Sequence, residues 1–114
     1  MRKYPTGATR DINTDKLHYH GFLSFTALQR FAQYMHKHRV QADGTLREAD
    51  NWKRGIPIPD YLDSFTRHAV DFILAEERGD AEEAEELACA LLFNVQGYLH
   101  EKLKAKTKAA KQTD

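Results

Sequence analysis

Hydrophobic residues follow a helical period most clearly between residues 58 and 103. In the first part of this segment they recur at alternating spacings of four and three positions, which places them on one side of an α-helix. The residues of this seam are Ile58, Leu62, Phe65, Ala69 and Phe72. Pro59 suits a first helical turn, and Gly79 suits the position after the last one. The pattern therefore predicts a helix that starts at Pro59 and ends near Gly79.

A second, more apolar helix is predicted to begin at Asp80. Asp80 and Glu83 stand three positions apart, which is the spacing of the N-cap and N3 residues in a capping box. From Leu87 to Val95 the side chains are apolar almost all round, with Asn94 as the exception. Such a helix is typically central in its domain. A short polar turn joins the two helices, so we expect them to pack antiparallel.

A further amphipathic helix is predicted over residues 24–39, with Ser24 as its N-cap. Residues 1–21 show no lasting periodicity and are expected to form an irregular N-terminal arm, whereas residues 40–57 form a long polar connection. The predicted fold class is therefore all-α, with antiparallel core helices. The helix predicted from Pro59 has a wide apolar surface, which indicates burial on more than one side, by other helices or by a second subunit.

The composition fits one ordinary soluble domain. The chain has 114 residues, with 17 Lys and Arg against 17 Asp and Glu, so a nucleic-acid ligand is not expected. No signal peptide and no stretch of about 20 apolar residues is visible, and the single cysteine, Cys89, favours a cytoplasmic protein. We expect one domain over residues 1–106. The charged segment 107–114 is expected to be a basic, disordered tail.

Five polar side chains with helical spacing form the main candidate site. His68 and Asp71 stand three apart on one predicted helix, and Glu83 and Glu86 stand three apart on the next, followed by Asn94. Antiparallel packing could direct all five into one cleft. Mg²⁺ prefers oxygen ligands and is commonly held by carboxylates together with substrate phosphates. The pattern therefore predicts Asp71, Glu83 and Glu86 as Mg²⁺ ligands.

The same residues have structural interpretations. Acidic residues are favourable in the first turns of any helix, and His68 could simply pair with Asp71. If the helix is rotated, Glu82 or Glu85 would replace Glu83 as the inward group. A buried Asn94 needs a hydrogen-bond partner, since leaving its amide unpaired costs about 1–3 kcal/mol. That partner could be a nucleotide or a neighbouring side chain.

The polar connection contains the only tryptophan, Trp52, followed by Lys53 and Arg54. Trp52 could cover the hydrophobic core, or it could stack on a base while the two cations reach phosphate. A cluster of cations, residues 36–39, ends the helix predicted from Ser24. These cations suit the negative end of the helix dipole, and they could equally form the cationic rim of a binding site for an anionic ligand.

Several separated motifs, in order, resemble one phage-encoded family, the domain named dATP/dGTP diphosphohydrolase, N-terminal. The match spans roughly residues 6–103. The motifs are Gly7-Ala8-Thr9-Arg10-Asp11, Lys16-Leu17 with Gly21-Phe22-Leu23-Ser24, Tyr34-Met35-His36-Lys37-His38-Arg39, Asn51-Trp52-Lys53-Arg54-Gly55-Ile56-Pro57, Arg67-His68 with Asp71, and residues 91–101.

This family in turn resembles the MazG-like all-α nucleotide pyrophosphohydrolases, which hold Mg²⁺ with paired acidic motifs on two helices and usually form dimers or tetramers. The corresponding pairs in this chain are His68-x-x-Asp71 and Glu83-x-x-Glu86. His68 replaces one carboxylate of the family pattern, which reduces the negative charge available to hold metal. The resemblance implies a MazG-like helical fold and a homo-oligomer.

The function that the resemblance implies is Mg²⁺-dependent hydrolysis of a purine deoxynucleoside triphosphate to monophosphate and pyrophosphate, in the host cytoplasm. His68 and Asp71 are the expected catalytic residues. The expected nucleotide-binding residues are Trp52, Lys53, Arg54, Arg67 and Asn94. One alternative is a phage protein that binds and sequesters a host signalling nucleotide without turnover. Another is a structural helical subunit whose polar residues are caps and ion pairs.

Overall fold

A computed structural model describes residues 2–10 and 15–112 of the chain. Met1, residues 11–14 and residues 113–114 lie outside this description. Asp11, which closes the first motif of the family resemblance, is among them. So are the last two residues of the predicted basic tail.

The described residues form an all-α fold, as the hydrophobic pattern predicts. Its four α-helices are α1 (Tyr19–Phe22), α2 (Phe25–Lys37), α3 (Ile58–Glu77) and α4 (Ala81–Gln112). Two strands of two residues each, β1 (Arg2–Lys3) and β2 (Thr9–Arg10), pair antiparallel in the N-terminal arm. None of the helices in the described ranges is both long enough and apolar enough to cross a membrane.

Helices α3 and α4 form an antiparallel hairpin, which is the structural centre of the protein. The turn depends on Gly79, whose φ of 74° is accessible to glycine at little cost. The Asp80 carboxylate then accepts a hydrogen bond from the Glu83 backbone N–H at 3.1 Å, so half of the predicted capping box is formed. Beyond the turn, Ala75 and Ala84 are buried against each other. These small residues let the two helices approach closely.

Farther along the hairpin, Tyr61 packs directly on Gly97. A Cβ atom added to Gly97 would lie 2.2 Å from Tyr61 Cζ and 2.3 Å from its Cε1. The Tyr61 ring is 2% exposed and also packs edge-on against Phe93, with 5.8 Å between the ring centroids. The absence of a side chain at Gly97 therefore makes room for the largest fully buried side chain of the described core.

Helix α2 packs on a different side of α4. It buries Phe31, and it places Arg30 and Lys37 against acidic residues of α4. The Ser24 hydroxyl accepts a hydrogen bond from the Ala27 backbone N–H at 3.1 Å, which confirms Ser24 as the N-cap of this helix. Ion pairs thus supplement a small apolar contact.

The connection between α2 and α3 folds back on itself. An isolated antiparallel bridge joins Val40 to Leu46, and the intervening turn uses Gly44 at a φ of 86°. A single 3-10 turn, Asn51–Arg54, follows and carries Trp52 to the surface of α4. This loop is therefore structured, and it supplies one wall of a pocket between α2 and α4.

Helix boundaries differ from the prediction mainly at the two ends of the chain. The N-terminal arm contains the short helix α1, which its sequence pattern does not reveal. Residues 107–112, assigned from sequence to the basic tail, continue α4 to Gln112. Alanine and lysine are strong helix formers, so α4 can continue without apolar contacts.

Candidate functional site

A pocket lies between α2, the α2–α3 connection and α4. It has a volume of about 540 Å³, within the range of roughly 300–1,000 Å³ typical of small-molecule sites. Its walls are mainly apolar and aromatic, with several cations. The lining residues with aromatic or charged side chains are Phe31, His36, His38, Arg39, Arg47, Glu48, Trp52 and Phe93.

Trp52 forms an aromatic surface in this pocket. Its ring centroid lies 6.2 Å from that of Phe93 and 4.9 Å from that of His100, both in edge-on geometry. Lys53 Nζ lies 5.7 Å from the centroid of the Trp52 ring, in a cation–π contact. Trp52 is half-buried. It therefore packs on α4 as a core residue would, and it also lines a cavity as a stacking residue would.

Two arginines, Arg39 and Arg47, add positive charge to the same pocket, and His36 and His38 also line it. Arg39 Nε donates to the Arg47 carbonyl oxygen at 2.7 Å, and the Arg47 backbone N–H donates to the Arg39 carbonyl oxygen at 2.8 Å. These bonds hold both residues at the base of the folded loop. Among the described residues, neither guanidinium forms an ion pair with a carboxylate. Their charge is available to an anion.

His68 and Asn94, two of the predicted site residues, are brought together inside the hairpin. His68 Nδ1 and Asn94 Oδ1 are 2.9 Å apart, so the ring donates through Nδ1 and the amide oxygen accepts. Asn94 is 3% exposed and His68 is half-buried. The bond links α3 to α4 and satisfies a buried amide. It also leaves the other ring nitrogen, Nε2, with a lone pair whenever His68 is neutral.

The predicted metal ligands, Asp71, Glu83 and Glu86, are not brought together in one site. Asp71 and Glu83 are both exposed, and the structure gives Glu83 a role at the start of α4 through its backbone N–H. Glu82 and Glu85, the alternatives in a rotated helix, are exposed as well. Glu85 pairs with the Nε atom of Arg30.

Glu86 instead accepts hydrogen bonds from two cations of α2. Arg30 Nη2 donates to one carboxylate oxygen at 2.8 Å, and Lys37 Nζ donates to the other at 2.8 Å. His38 Nε2 lies 3.9 Å from that second oxygen. The hydrogen bonds from Lys37 and Arg30 lower the pKa of Glu86 from its ordinary value, so the carboxylate is held ionised. Its role in the structure is to attach α2 to α4.

No group of three or more His, Cys, Asp or Glu side chains within residues 2–10 and 15–112 is arranged to hold a metal ion. Two of the three proposed ligands, Asp71 and Glu83, point to solvent, and Glu86 is already neutralised by Arg30 and Lys37. The described single chain thus lacks an assembled Mg²⁺ site. A role for Mg²⁺ stays a prediction of the family resemblance.

The predicted phosphate-binding cations lie outside the pocket. Lys53 and Arg54 are exposed on the 3-10 turn, and Arg67 is exposed on α3, where it pairs with Asp63. The pocket takes its cations from Arg39 and from Arg47 instead. The cationic cluster at residues 36–39 was visible in the sequence, whereas Arg47 had no distinguishing signal there. Its position follows from the loop folding back at Gly44.

Comparisons with known proteins give no further identification: no family model matches the chain, and no curated protein or solved structure is significantly similar to it. The resemblance to the phage diphosphohydrolase domain therefore stays an expectation that rests on its motifs.

Proposed function

We propose that this protein binds a purine deoxynucleoside triphosphate in the pocket between α2, the α2–α3 connection and α4. The observation that carries this proposal is the presence of Trp52, Arg39 and Arg47 in the walls of one cavity. An aromatic face next to two guanidinium groups that form no ion pair among the described residues matches the two halves of a nucleotide, a flat base and a polyanionic phosphate chain.

The base is assigned to the aromatic side of the pocket. Stacking of a base on an aromatic side chain contributes about 1–3 kcal/mol, and Trp52 offers the largest such surface in the chain. Its contacts with Phe93 and His100 fix the ring before a ligand arrives. A pre-positioned ring loses little conformational entropy on binding. A purine, having the larger π-surface, is favoured over a pyrimidine.

The phosphates are assigned to the cationic side. Arg39 and Arg47 carry planar guanidinium groups suited to bidentate contacts with phosphate oxygens. His36 and His38 lie in the same wall and can donate hydrogen bonds. Glu48 is the one carboxylate among the lining residues, so the balance of charge around the pocket is positive.

Isothermal titration calorimetry with the four deoxynucleoside triphosphates tests this assignment. We expect dATP and dGTP to bind more tightly than dTTP and dCTP, and Arg47→Ala to weaken purine binding by about tenfold or more, since a charged hydrogen bond contributes roughly 1.5–3 kcal/mol. Arg78→Ala is the matched control, because Arg78 lies at the α3–α4 turn and pairs with Asp80. Equal affinity for all three proteins would contradict the assignment.

Hydrolysis of the bound nucleotide to monophosphate and pyrophosphate is the second candidate function. This candidate rests on the family resemblance, which assigns the chemistry to His68 and Asp71 on α3 and to Glu83 and Glu86 on the neighbouring helix α4. Mg²⁺ would supply charge neutralisation at the phosphates. Incubation of the protein with purine deoxynucleoside triphosphates and Mg²⁺ tests this directly. Recovery of intact nucleotide from the denatured protein would identify a binding protein that sequesters its ligand.

A homo-oligomer, dimer or tetramer, is part of this proposal, and so is a location in the cytoplasm. The buried free thiol of Cys89 suits a reducing compartment. A purely structural subunit is the remaining alternative. It predicts that no nucleotide raises the thermal unfolding midpoint of the protein, whereas binding to the folded state alone would raise it.

A further inference from the structure

Positive charge is concentrated at the C-terminal end of α4. Five of the ten residues from 102 to 111 are lysines, and no acidic residue lies among them. These lysines are Lys102, Lys104, Lys106, Lys108 and Lys111. Acidic residues are concentrated at the other end of the hairpin, with seven between positions 76 and 86. The formal net charge of zero therefore conceals a strongly polarised chain, and such segregation is typical of proteins that bind a charged partner.

This basic segment projects beyond the α3–α4 hairpin. Tyr61 packs on Gly97, so Ile58, the first residue of α3, lies opposite about residue 100 of the antiparallel helix α4. Residues beyond that point have no part of α3 beside them, and every residue from 102 to 111 is exposed. At a rise of about 1.5 Å per residue, residues 101–112 extend for about 18 Å. The segment is thus a helical rod whose whole circumference is exposed.

The lysines form two rows on opposite sides of this rod. On an ideal helix, with about 100° between successive residues, Lys102 and Lys106 lie about 40° apart in projection. The other three lysines fall within about 60° of one another, on the side turned roughly 180° away. Between the two rows, one side carries only the small residues Ala105 and Ala109. The helix therefore presents positive charge on two opposite sides and a narrow face between them.

Few of these charges are neutralised inside the protein. Lys104 Nζ lies 3.5 Å from the Glu101 carboxylate, and Lys102 Nζ lies over the Tyr98 ring, 5.6 Å from its centroid. The lysines that form no ion pair among the described residues are Lys106, Lys108 and Lys111. Lysines four positions apart on a helix repel each other, and the helix dipole favours cations only near the last turn, which contains Lys111. An external polyanion would offset this repulsion.

We propose that the C-terminal end of α4 binds duplex DNA by lying in the major groove, with one row of lysines against each phosphate strand. The major groove of B-DNA is about 12 Å wide and admits an α-helix. The narrow face with Ala105 and Ala109 is then directed to the floor of the groove. Lysine ammonium groups bind phosphates as point charges and read no base sequence. The inference does not depend on nucleotide binding, because none of the five lysines lines the proposed nucleotide pocket.

Other polyanionic partners agree less well with the segment. A helix that binds a membrane surface carries large apolar residues on one side, and the last large apolar residue of α4 is Leu103. Single-stranded nucleic acid is held by stacking on aromatic side chains, and residues 101–112 contain none. The deep, narrow major groove of duplex RNA does not admit protein side chains. Duplex DNA is therefore the partner whose shape and charge match the two rows.

Fluorescence anisotropy of a labelled DNA duplex, titrated with the full chain at several salt concentrations, tests the proposal. Each neutralised phosphate contributes about −0.9 to the slope of log affinity against log salt, so three to five contacts predict a slope of about −3 to −4.5. The affinity should then fall by about 40-fold or more between roughly 50 and 200 mM salt. The triple variant K104Q/K108Q/K111Q should bind at least about tenfold more weakly, with a slope about 2.7 smaller in magnitude.

The matched control is the triple variant K3Q/K16Q/R78Q, which removes the same charge from exposed positions on other elements. We expect it to bind DNA as the wild type does. Glutamine is as good a helix former as lysine, so circular dichroism should show native helix content in both triple variants. An equal loss of affinity in the control would mean that net charge alone governs binding and would overturn the proposal, as would a wild type that does not bind DNA.

Three further ligands distinguish the proposed groove from other polyanions. A DNA single strand and an RNA duplex of the same length should each bind more weakly than the DNA duplex, because neither offers a groove that admits the helix. Vesicles containing phosphatidylserine should also bind more weakly, since the segment lacks an apolar side. Equal or tighter binding of any of these three ligands would contradict the major-groove arrangement.

Discussion

Substituting Gly97 by alanine tests the tightest contact of the hairpin. A Cβ atom at this position would lie 2.2 Å from Tyr61 Cζ, 2.3 Å from Cε1 and 2.5 Å from the hydroxyl oxygen. Non-bonded carbon atoms prefer separations of about 3.5–4.0 Å, so the ring has to move by more than 1 Å on this estimate. Tyr61 is 2% exposed, and Phe93 packs against its ring. The ring therefore has little free space into which it can move.

The magnitude is a balance of two opposing effects. Alanine is favoured over glycine inside a helix by about 0.5–1 kcal/mol, while overpacking a well-filled core typically costs about 1–3 kcal/mol and occasionally more. Because the ring atoms themselves clash with the new Cβ, we expect the upper part of that range. Gly97→Ala should therefore lower the free energy of unfolding by about 1–2 kcal/mol.

Urea unfolding, followed by circular dichroism at one fixed protein concentration, measures the effect. Gly21→Ala is the matched control, because its nearest neighbour, the Cβ of His18, would lie 3.9 Å from the added methyl group. We expect that control to be neutral or slightly stabilising. Replacing the Tyr61 ring by the smaller leucine side chain in the double variant G97A/Y61L should recover part of the stability lost in G97A. A double-mutant cycle quantifies this recovery. A G97A protein as stable as G21A would refute the close-packing argument.

Three further substitutions probe polar groups. Tyr61→Phe should leave stability unchanged or raise it, since the buried hydroxyl has no hydrogen-bond partner among the described residues. Urea unfolding measures the change, and a clear loss of stability would mean that the hydroxyl does have a partner. The pKa of Glu86 is lower in the folded protein than its ordinary value of 4.5. The ionised carboxylate therefore stabilises the folded protein at any pH above 4.5. This stabilisation is lost as the pH falls through the pKa that Glu86 has in the folded protein. Glu86→Gln should therefore be less stable than wild type at neutral pH, with the difference shrinking under acid; a pH-independent difference would contradict this. Asn94→Ala should cost about 1–3 kcal/mol by leaving His68 Nδ1 without its acceptor, and a neutral thermal unfolding result would show the pair to be dispensable.

The helices of the hairpin could be predicted because their signals are local. Pro59 and Gly79 bracket α3, and Asp80 caps α4 through the Glu83 backbone N–H. The all-α fold follows from such features together with the apolar period. The length of α4 was underestimated because large apolar residues end at Leu103, although helix propensity continues beyond it.

Contacts between distant segments could not be predicted from these patterns. Arg30 and Glu86 are 56 positions apart, and nothing in the spacing of acidic residues on α4 indicates that α2 supplies their counter-ions. The sequence therefore presented Glu86 as a free ligand. Arg47 was missed for a similar reason, because its place beside Arg39 depends on how the loop folds back at Gly44.

His68 and Asn94 fall between these cases. The sequence showed that a buried Asn94 needs a hydrogen-bond partner, and the structure identifies His68 as that partner at 2.9 Å. Both residues had been considered for nucleotide chemistry, and their mutual bond gives them a structural role as well. Whether the two side chains bind each other depends on the direction in which each one points. That direction depends on how α3 packs on α4, which the sequence pattern does not give.

The central claim, that the pocket holds a base against Trp52 and phosphates near Arg39 and Arg47, is tested most directly by fluorescence. Trp52 is the only tryptophan in the chain, so its emission reports on this pocket alone. We expect dATP to quench the emission in a saturable way, and inorganic triphosphate to compete with dATP without quenching. An emission that does not respond to any purine nucleotide, in protein with native helix content, would contradict the account.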